Sequence, residues 1–224
     1  MIRKLFRAIF LIILVLALGF YAICAAIIFE LKWQNPPTTA VQTERRISAM
    51  LQHRPYQKRY QFVPMWRISP NLRHAVVAAE DGRFRQHHGF DWEEMHKVLE
   101  QDLKRHKFGR GGSTITQQLV KNLFLTTERS FIRKGAEFAL VPLVEAVLTK
   151  DRILELYLNV IEWGPGIYGA QAASEFYYHR PASDLTREES ARLAAIIPAP
   201  LHRKPEWMNE YTADILNRMD HTGW

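Results

Sequence analysis

Polar and apolar positions divide the 224-residue chain into three regimes. Residues 8–29 contain no charged side chain and are dominated by Ile, Leu, Val, Ala and Phe. As a helix those 22 residues rise about 33 Å, enough for the ~30 Å hydrocarbon core of a bilayer. Asn35-Pro36-Pro37-Thr38-Thr39 follows, with little helix tendency. Beyond it apolar residues recur at helical spacing. The pattern predicts helices over 41–52, over 71–80 opened by Ser69-Pro70, and over 92–106 with Asp91 as N-cap. Further helices are expected from Thr114, over 130–148 with a kink at Pro142, over 151–161 and over 167–178. A capping box, Thr186-Arg187-Glu188-Glu189, opens another that ends before Pro198. Residues 55–69 read as irregular, with Tyr56, Tyr60, Phe62 and Trp66 as aromatics for the core or a membrane surface. No segment alternates long enough to predict a sheet, and no repeat is present. The expected fold class is mainly α: a cytoplasmic N-terminus at 1–7, a single transmembrane helix at 8–31, a linker at 32–40, and one predominantly helical domain at 41–224.

Charge orients the apolar segment. Arg3, Lys4 and Arg7 precede it, so the positive-inside rule keeps the N-terminus cytoplasmic and exports the rest. Trp33 stands where an interfacial aromatic is expected. A cleaved signal peptide is the competing reading, but the run is longer than the usual ~7–15 residue apolar region and continues past Ala25 and Ala26. The single cysteine, Cys24, lies inside the segment, so the exported part cannot form disulfides. Net charge is +7; removing the three basic residues before the span leaves 27 bases against 23 acids, or +4. That excess suits a domain near an anionic membrane surface. Export and the lack of a dense basic stripe argue against nucleic acid as a partner.

Three clusters can carry chemistry. Glu80 and Asp81 end an apolar-rich helix, where partial desolvation raises a carboxyl toward the range useful for proton transfer. The bland reading is a charged helix terminus, followed by a loop with surface histidines. Gly109-Arg110-Gly111-Gly112-Ser113-Thr114 runs into a helix on which Thr114, Gln118, Lys121 and Asn122 share one face, opposite Ile115, Leu119 and Leu123. Ser113 or Thr114 can cap it. A helix start with free N–H groups and a nearby lysine suits an anion such as phosphate; a merely solvated polar face is the alternative. The spacing fits neither a P-loop nor a dinucleotide fingerprint. Arg133, Lys134 and Glu137 sit at i, i+1 and i+4, which makes either a surface ion-pair cluster or two cations for a phosphate-type leaving group with a second carboxylate. No metal-ligand spacing is visible: His87 and His88 are adjacent, and no His-Glu-x-x-His occurs.

The motifs together resemble the peptidoglycan glycosyltransferases, glycosyltransferase family 51, of the monofunctional biosynthetic type. Glu80-Asp81-x-x-Phe84-x-x-His87-x-Gly89 is similar to their first motif, and Gly111 to Asn122 to their second. Arg133-Lys134-x-x-Glu137 is similar to the third, Ile153-Leu154-Glu155-x-Tyr157-Leu158-Asn159 with Gly164 and Gly169 to the fourth, and Glu189-x-Ala191-x-Leu193-Ala194 to the fifth. The five occur in order. Pro198-Ala199-Pro200 departs from the pattern, with Ala where many members have Asn.

The resemblance implies a lysozyme-like helical domain that polymerises lipid II into β-1,4-linked glycan, releasing undecaprenyl pyrophosphate with inversion at the MurNAc anomeric carbon and without transpeptidase activity. It implies Glu80 and Glu137 as catalytic residues. It implies Asp81, Phe84, His87, Thr114, Gln118, Lys121, Asn122, Arg133 and Lys134 as substrate-binding residues. No tightly bound cofactor is implied, although a divalent cation, Mg2+ or Mn2+, can bridge the pyrophosphate. Implied partners are lipid II, the lipid-linked glycan chain, the membrane and other cell-wall synthesis or division proteins. The implied location is the inner membrane, single-pass, with the catalytic domain periplasmic. A lytic transglycosylase or muramidase, and a non-catalytic scaffold, are the rivals; the three cations and the paired carboxylates separate them.

Overall fold

The computed structural model describes residues 2–105 and 112–221. The uncharged stretch lies within one helix, α1 (Ile2–Glu30), and among the described residues α1 alone is long and apolar enough to cross a membrane. Then come α2 (Ala40–Leu51), capped by Thr39, the short strand β1 (Arg59–Tyr60), and α3 (Pro70–Glu80) with proline at its first position. α4 (Trp92–Arg105), α5 (Ile115–Phe124), α6 (Phe131–Val147) and α7 (Lys150–Val160) follow. Asp91 does cap α4, accepting the Glu94 N–H at 2.9 Å. α6 runs from end to end with Pro142 inside it. The chain continues through β2 (Glu162–Gly164), β3 (Ile167–Tyr168), α8 (Ala170–Tyr178), α9 (Arg187–Ile196) and α10 (Asn209–His221). The predicted helix end at His106, and Gly109, Arg110 and Gly111, lie outside the described residues.

Two expectations need correction. The strands form a three-stranded sheet in the order β1-β3-β2, with β1 parallel and β2 antiparallel to β3. Strands of two or three residues carry no alternation to read, and β2 and β3 are buried at every position. For the same reason 167–178 is not one helix. Ile167 and Tyr168 pair with Arg59 and Tyr60, and α8 starts only after Gly169. Gly169 has φ +84°, and a Cβ there would lie 2.5 Å from the Asn159 carbonyl oxygen. The Thr186 capping box forms as expected, with Glu189 closing it.

The helices pack in two groups that share one core. α5 lies against α2, α6 and α7; α3, α9 and α10 pack on one another. Trp163, Tyr157, Tyr168 and Phe84 are the largest fully buried side chains. α1 reaches this core with its end: Cys24 and Ile28, with Leu31 just past the helix, are buried at i, i+4 and i+7 while most of α1 is exposed, and α1 packs on α6. Of the four aromatics in 55–69, three are occupied within the protein. Tyr56 donates to the Tyr168 hydroxyl, Tyr60 donates to the Pro36 carbonyl, and Phe62 packs on the core with the Arg152 guanidinium 5.7 Å from its ring. Trp66 is exposed, with Arg67 against its ring.

Candidate active site

Glu80 is the last residue of α3, at the edge of the group that α3 makes with α9 and α10. The apolar run Ala75 to Ala79 carries it out of the core, so the carboxylate is half-buried rather than surface-solvated. Gln118 of α5 donates its Nε2 to Glu80 Oε2 at 2.6 Å. The Tyr157 hydroxyl of α7 donates to Gln118 Oε1 at 2.9 Å. An ionised Glu80 only accepts, so this chain of donors fixes which way the amide points. Burial holds the Glu80 carboxyl above the usual glutamate range, and the Asp81 charge adds to the rise. The Gln118 hydrogen bond and the Lys121 and Arg203 charges pull it back. Burial, reinforced by the Glu80 and Asp81 charges, holds the Tyr157 phenol well above its ordinary value, so it remains a donor.

The residues after Glu80 brace the start of α5. Asp81 Oδ2 accepts the Ile115 N–H at 3.0 Å, and Asp81 Oδ1 bonds His87 Nε2 at 2.8 Å. Thr114 caps α5 in a complete capping box with Gln117, and its hydroxyl donates to the Gly89 carbonyl at 2.6 Å. Phe84 is fully buried beneath the Lys150 ammonium. This overturns the picture of a helix start with free N–H groups awaiting an anion. The N–H groups of Ile115, Gln117 and Gln118 are taken by Asp81 and Thr114, so a carboxylate of the protein already occupies the positive end of the dipole. Asp81, Phe84, His87 and Thr114 are buried and turned toward protein partners. The polar face of α5 looks inward: Asn122 is 6% exposed and donates to the Gln118 carbonyl of its own helix at 2.8 Å.

The cations form a separate wall. Glu137 of α6 is 3% exposed, accepts from Arg133 Nη1 at 2.8 Å and also pairs with Lys134. Lys134 reaches Ser113 Oγ at 3.4 Å, which ties α6 to the entry of α5. Lys121 is half-buried between the two carboxylates. Burial lowers its ammonium first, and the Arg133 and Lys134 charges lower it further, while Glu137 and Glu80 raise it. Lys121, Arg133 and Lys134 against Glu137 leave three positive charges and one negative, a local +2, and Lys121 is the member of that cluster whose charge also acts on Glu80. A buried carboxylate holding two cations fixes their positions, and breaking such a pair typically costs about 3–5 kcal/mol.

Among the described residues one trio, Asp81, His87 and Asp91, brings ligand atoms within 4.8 Å of one another. Its oxygens are committed: Asp81 to Ile115 and His87, and Asp91 to the Glu94 N–H and the Arg83 guanidinium at 3.3 Å. A guanidinium at that distance repels a second cation, so the trio does not fit a divalent ion.

The sequence pattern missed part of the site. Tyr157 enters there only as a member of the fourth motif, with no role attached. Arg203 and Tyr211 lie in the tail, where no periodicity marks them, yet both stand within electrostatic reach of Glu80. Arg203 donates to the Ala195 carbonyl at 2.9 Å with its guanidinium against the Tyr211 ring. The one available signal is a basic residue shortly after a helix end.

A mainly helical domain that combines a partly desolvated carboxylate with a nearby lysine and a cluster of cations held by a buried glutamate has the parts of a glycosyl-transfer site with an anionic leaving group. The chain belongs to the transglycosylase family, which it matches over residues 45–221. It is similar to the biosynthetic peptidoglycan transglycosylase of Laribacter hongkongensis (strain HLHK9), 44% identical over 193 residues that span 84% of this chain and 85% of that one. The protein of that name from Thiobacillus denitrificans (strain ATCC 25259 / T1) is 50% identical over 166 residues, 74% of this chain and 72% of its own. The one from Bordetella pertussis (strain Tohama I / ATCC BAA-589 / NCTC 13251) is 41% identical over 214 residues, 88% of each.

Proposed function

We propose that this transglycosylase builds peptidoglycan glycan strands by polymerising lipid II. The growing chain on undecaprenyl pyrophosphate is the donor and a new lipid II is the acceptor. The acceptor GlcNAc 4-hydroxyl attacks the donor MurNAc C1. The new C1–O bond forms as the C1–O bond to pyrophosphate breaks, the hydroxyl proton passes to Glu80, and the configuration inverts. The observation that carries this reading is the Tyr157–Gln118–Glu80 chain together with Lys121, whose charge couples to Glu80 on one hand and to Glu137, Arg133 and Lys134 on the other. A base whose carboxyl burial lifts above the usual glutamate range serves proton abstraction; general-base help is typically worth ~10²–10⁴ in rate.

Gln118 bonds one carboxylate oxygen of Glu80 and leaves the other to take the proton. The cations stabilise the departing pyrophosphate, and Glu137 holds two of them in place. Asp81, Phe84, His87 and Thr114 act one step back, by setting the loop and α5 against Glu80; Asn122 stiffens the same helix. A divalent cation, Mg2+ or Mn2+, enters in this reading as a counter-ion of the pyrophosphate. A glycan-cleaving enzyme has no anionic leaving group for three cations to meet, which favours synthesis. In this reading residues 45–221 serve glycosyl transfer, and transpeptidation is not part of it.

α1 serves as a single-pass anchor. Arg3, Lys4 and Arg7 keep its N-terminus cytoplasmic, and Trp33, with Phe29 edge-on at 5.2 Å, marks the outer interface of the inner membrane. The active domain then stands on the periplasmic side beside its lipid substrates and any cell-wall or division proteins that share them. The test is incubation of the purified chain with lipid II, with Glu80→Gln in parallel. Polymer is expected from the parent and at most about 1% of its rate from the variant. No polymer from the parent, or equal polymer from both, sinks the reading.

A further inference from the structure

The anchor helix is bolted to the domain rather than strung from it. The last carbonyls of a helix lack internal partners. At the end of α1 the Ile27, Phe29 and Glu30 carbonyls accept backbone N–H groups of residues 31–34, and one guanidinium then holds the turn just past the helix. Arg152 donates from Nε to the Leu31 carbonyl at 2.8 Å and from Nη2 to the Gln34 carbonyl at 2.7 Å and Asn35 Oδ1 at 2.9 Å. Its Nη1 pairs with Glu155 one turn along α7. A cation at a helix C-terminus also complements the dipole. The apolar stripe of Cys24, Ile28 and Leu31 is buried beside it.

The same stretch of α7 grips the segment before α3. Glu155 accepts the Met65 N–H at 2.7 Å, and Asn159 brackets Val63 through both its N–H and its carbonyl. Two residues beyond Glu155, Tyr157 begins the chain to Gln118 and Glu80. One helix therefore holds the membrane anchor at its start and the orienter of the base further on.

We propose that Arg152 is a positioning residue that locks α1 to α7 and so fixes the height and tilt of the active site above the bilayer. The proposal rests on the reading of lipid II as substrate. A substrate embedded in the bilayer arrives at a set height, so a swinging domain misaligns with it. A substrate dispersed in detergent arrives from any direction and tolerates a loose anchor.

The experiment uses the full chain and two formats: undecaprenyl lipid II in phosphatidylcholine–phosphatidylglycerol vesicles, and a short-prenyl lipid II in detergent. Arg152→Met keeps the apolar stem over Phe62 and removes the donors; Arg152→Lys keeps the charge without the fork. Small misplacements of reacting groups cost on the order of 10²-fold. The expected loss for Arg152→Met is therefore about 10–100-fold in vesicles and less than about twofold in detergent, with Arg152→Lys between. Amide exchange of residues 31–35 is expected to quicken. Ile28→Ser loosens the buried stripe from the anchor side with Arg152 intact, and it is expected to give the same vesicle-only loss. It carries the test if Arg152→Met melts below the assay temperature. Equal losses in both formats, or no loss in vesicles, overturn the proposal. Absence of polymer from the parent in both formats overturns the lipid II reading instead.

Discussion

Gln118→Leu tests the centre of the site. The substitution keeps most of the side-chain volume and removes both ends of the amide. Glu80 loses a donor at 2.6 Å, and the Tyr157 hydroxyl loses its acceptor at 2.9 Å. A hydrogen bond to a charged group contributes about 1.5–3 kcal/mol. At about 1.4 kcal/mol per factor of ten, full loss of that orientation lowers kcat/KM roughly 10–150-fold. The pH profile supplies a second, independent readout. The Gln118 hydrogen bond favours the ionised form of Glu80, while burial opposes it. Without the bond, burial acts with less opposition, the Glu80 carboxyl rises further, and the acid limb of kcat/KM moves to higher pH. Tyr157→Phe leaves the amide present but free to turn, so it gives a smaller fall in rate and a smaller move of the same sign. Initial rates of lipid II polymerisation across pH measure both effects. A Gln118→Leu enzyme with the parent's rate, or with a lower rate but an unmoved acid limb, refutes the claim that this amide holds the base.

Glu80→Gln should stabilise the protein at neutral pH while cutting activity at least about 100-fold. A carboxyl raised above its ordinary 4.5 contributes stability that is complete below that pH and is lost as pH rises through the folded value. The variant's advantage, about 1 kcal/mol or roughly 2–4 °C in Tm at pH 7.5, should therefore shrink toward pH 4; a constant difference across that window contradicts the assignment. Glu137→Ala leaves Arg133 and Lys134 without their buried partner, so thermal unfolding should register a loss of about 3–5 kcal/mol together with loss of polymerisation. Gly89→Ala puts a Cβ 2.4 Å from Val141 Cγ1 and 3.1 Å from Glu145 Cγ at φ +88°, which should destabilise by about 1–3 kcal/mol in a denaturant melt.

What was legible in the sequence and what was not divides along one physical line. Features set by neighbours in the chain could be read. The uncharged stretch is α1, Ser69-Pro70 opens α3, Asp91 caps α4, and Thr186 with Glu189 closes the box on α9. The Thr114-x-x-Gln117 box carries the same signature, and its spacing alone is enough to find it. Features set by partners far along the chain could not be read. The sheet joins residue 59 to residue 167, and α10 reaches α3 and α9 only through the fold. The Gly109–Asn122 segment shows why a correct helix assignment still misled about its surface. Its start looks like an anion site because a bare helix terminus would be one; Asp81, more than thirty residues earlier, fills that place.

That substitution of an internal carboxylate for an external anion bears on how the site works. Had the α5 terminus been free, the pyrophosphate could have bound there, close to Glu80 and on the same helix as Lys121. With Asp81 seated on the Ile115 N–H, that end of α5 carries negative charge and repels a phosphate. The positive charge available to a leaving group is then that of Lys121 and of Arg133 and Lys134, the last two held by Glu137. On the proposed reading, inversion requires the attacking and departing oxygens to occupy opposite faces of the donor carbon. A base flanked by the Asp81 carboxylate then serves the attacking face, and Lys121, Arg133 and Lys134 serve the departing pyrophosphate.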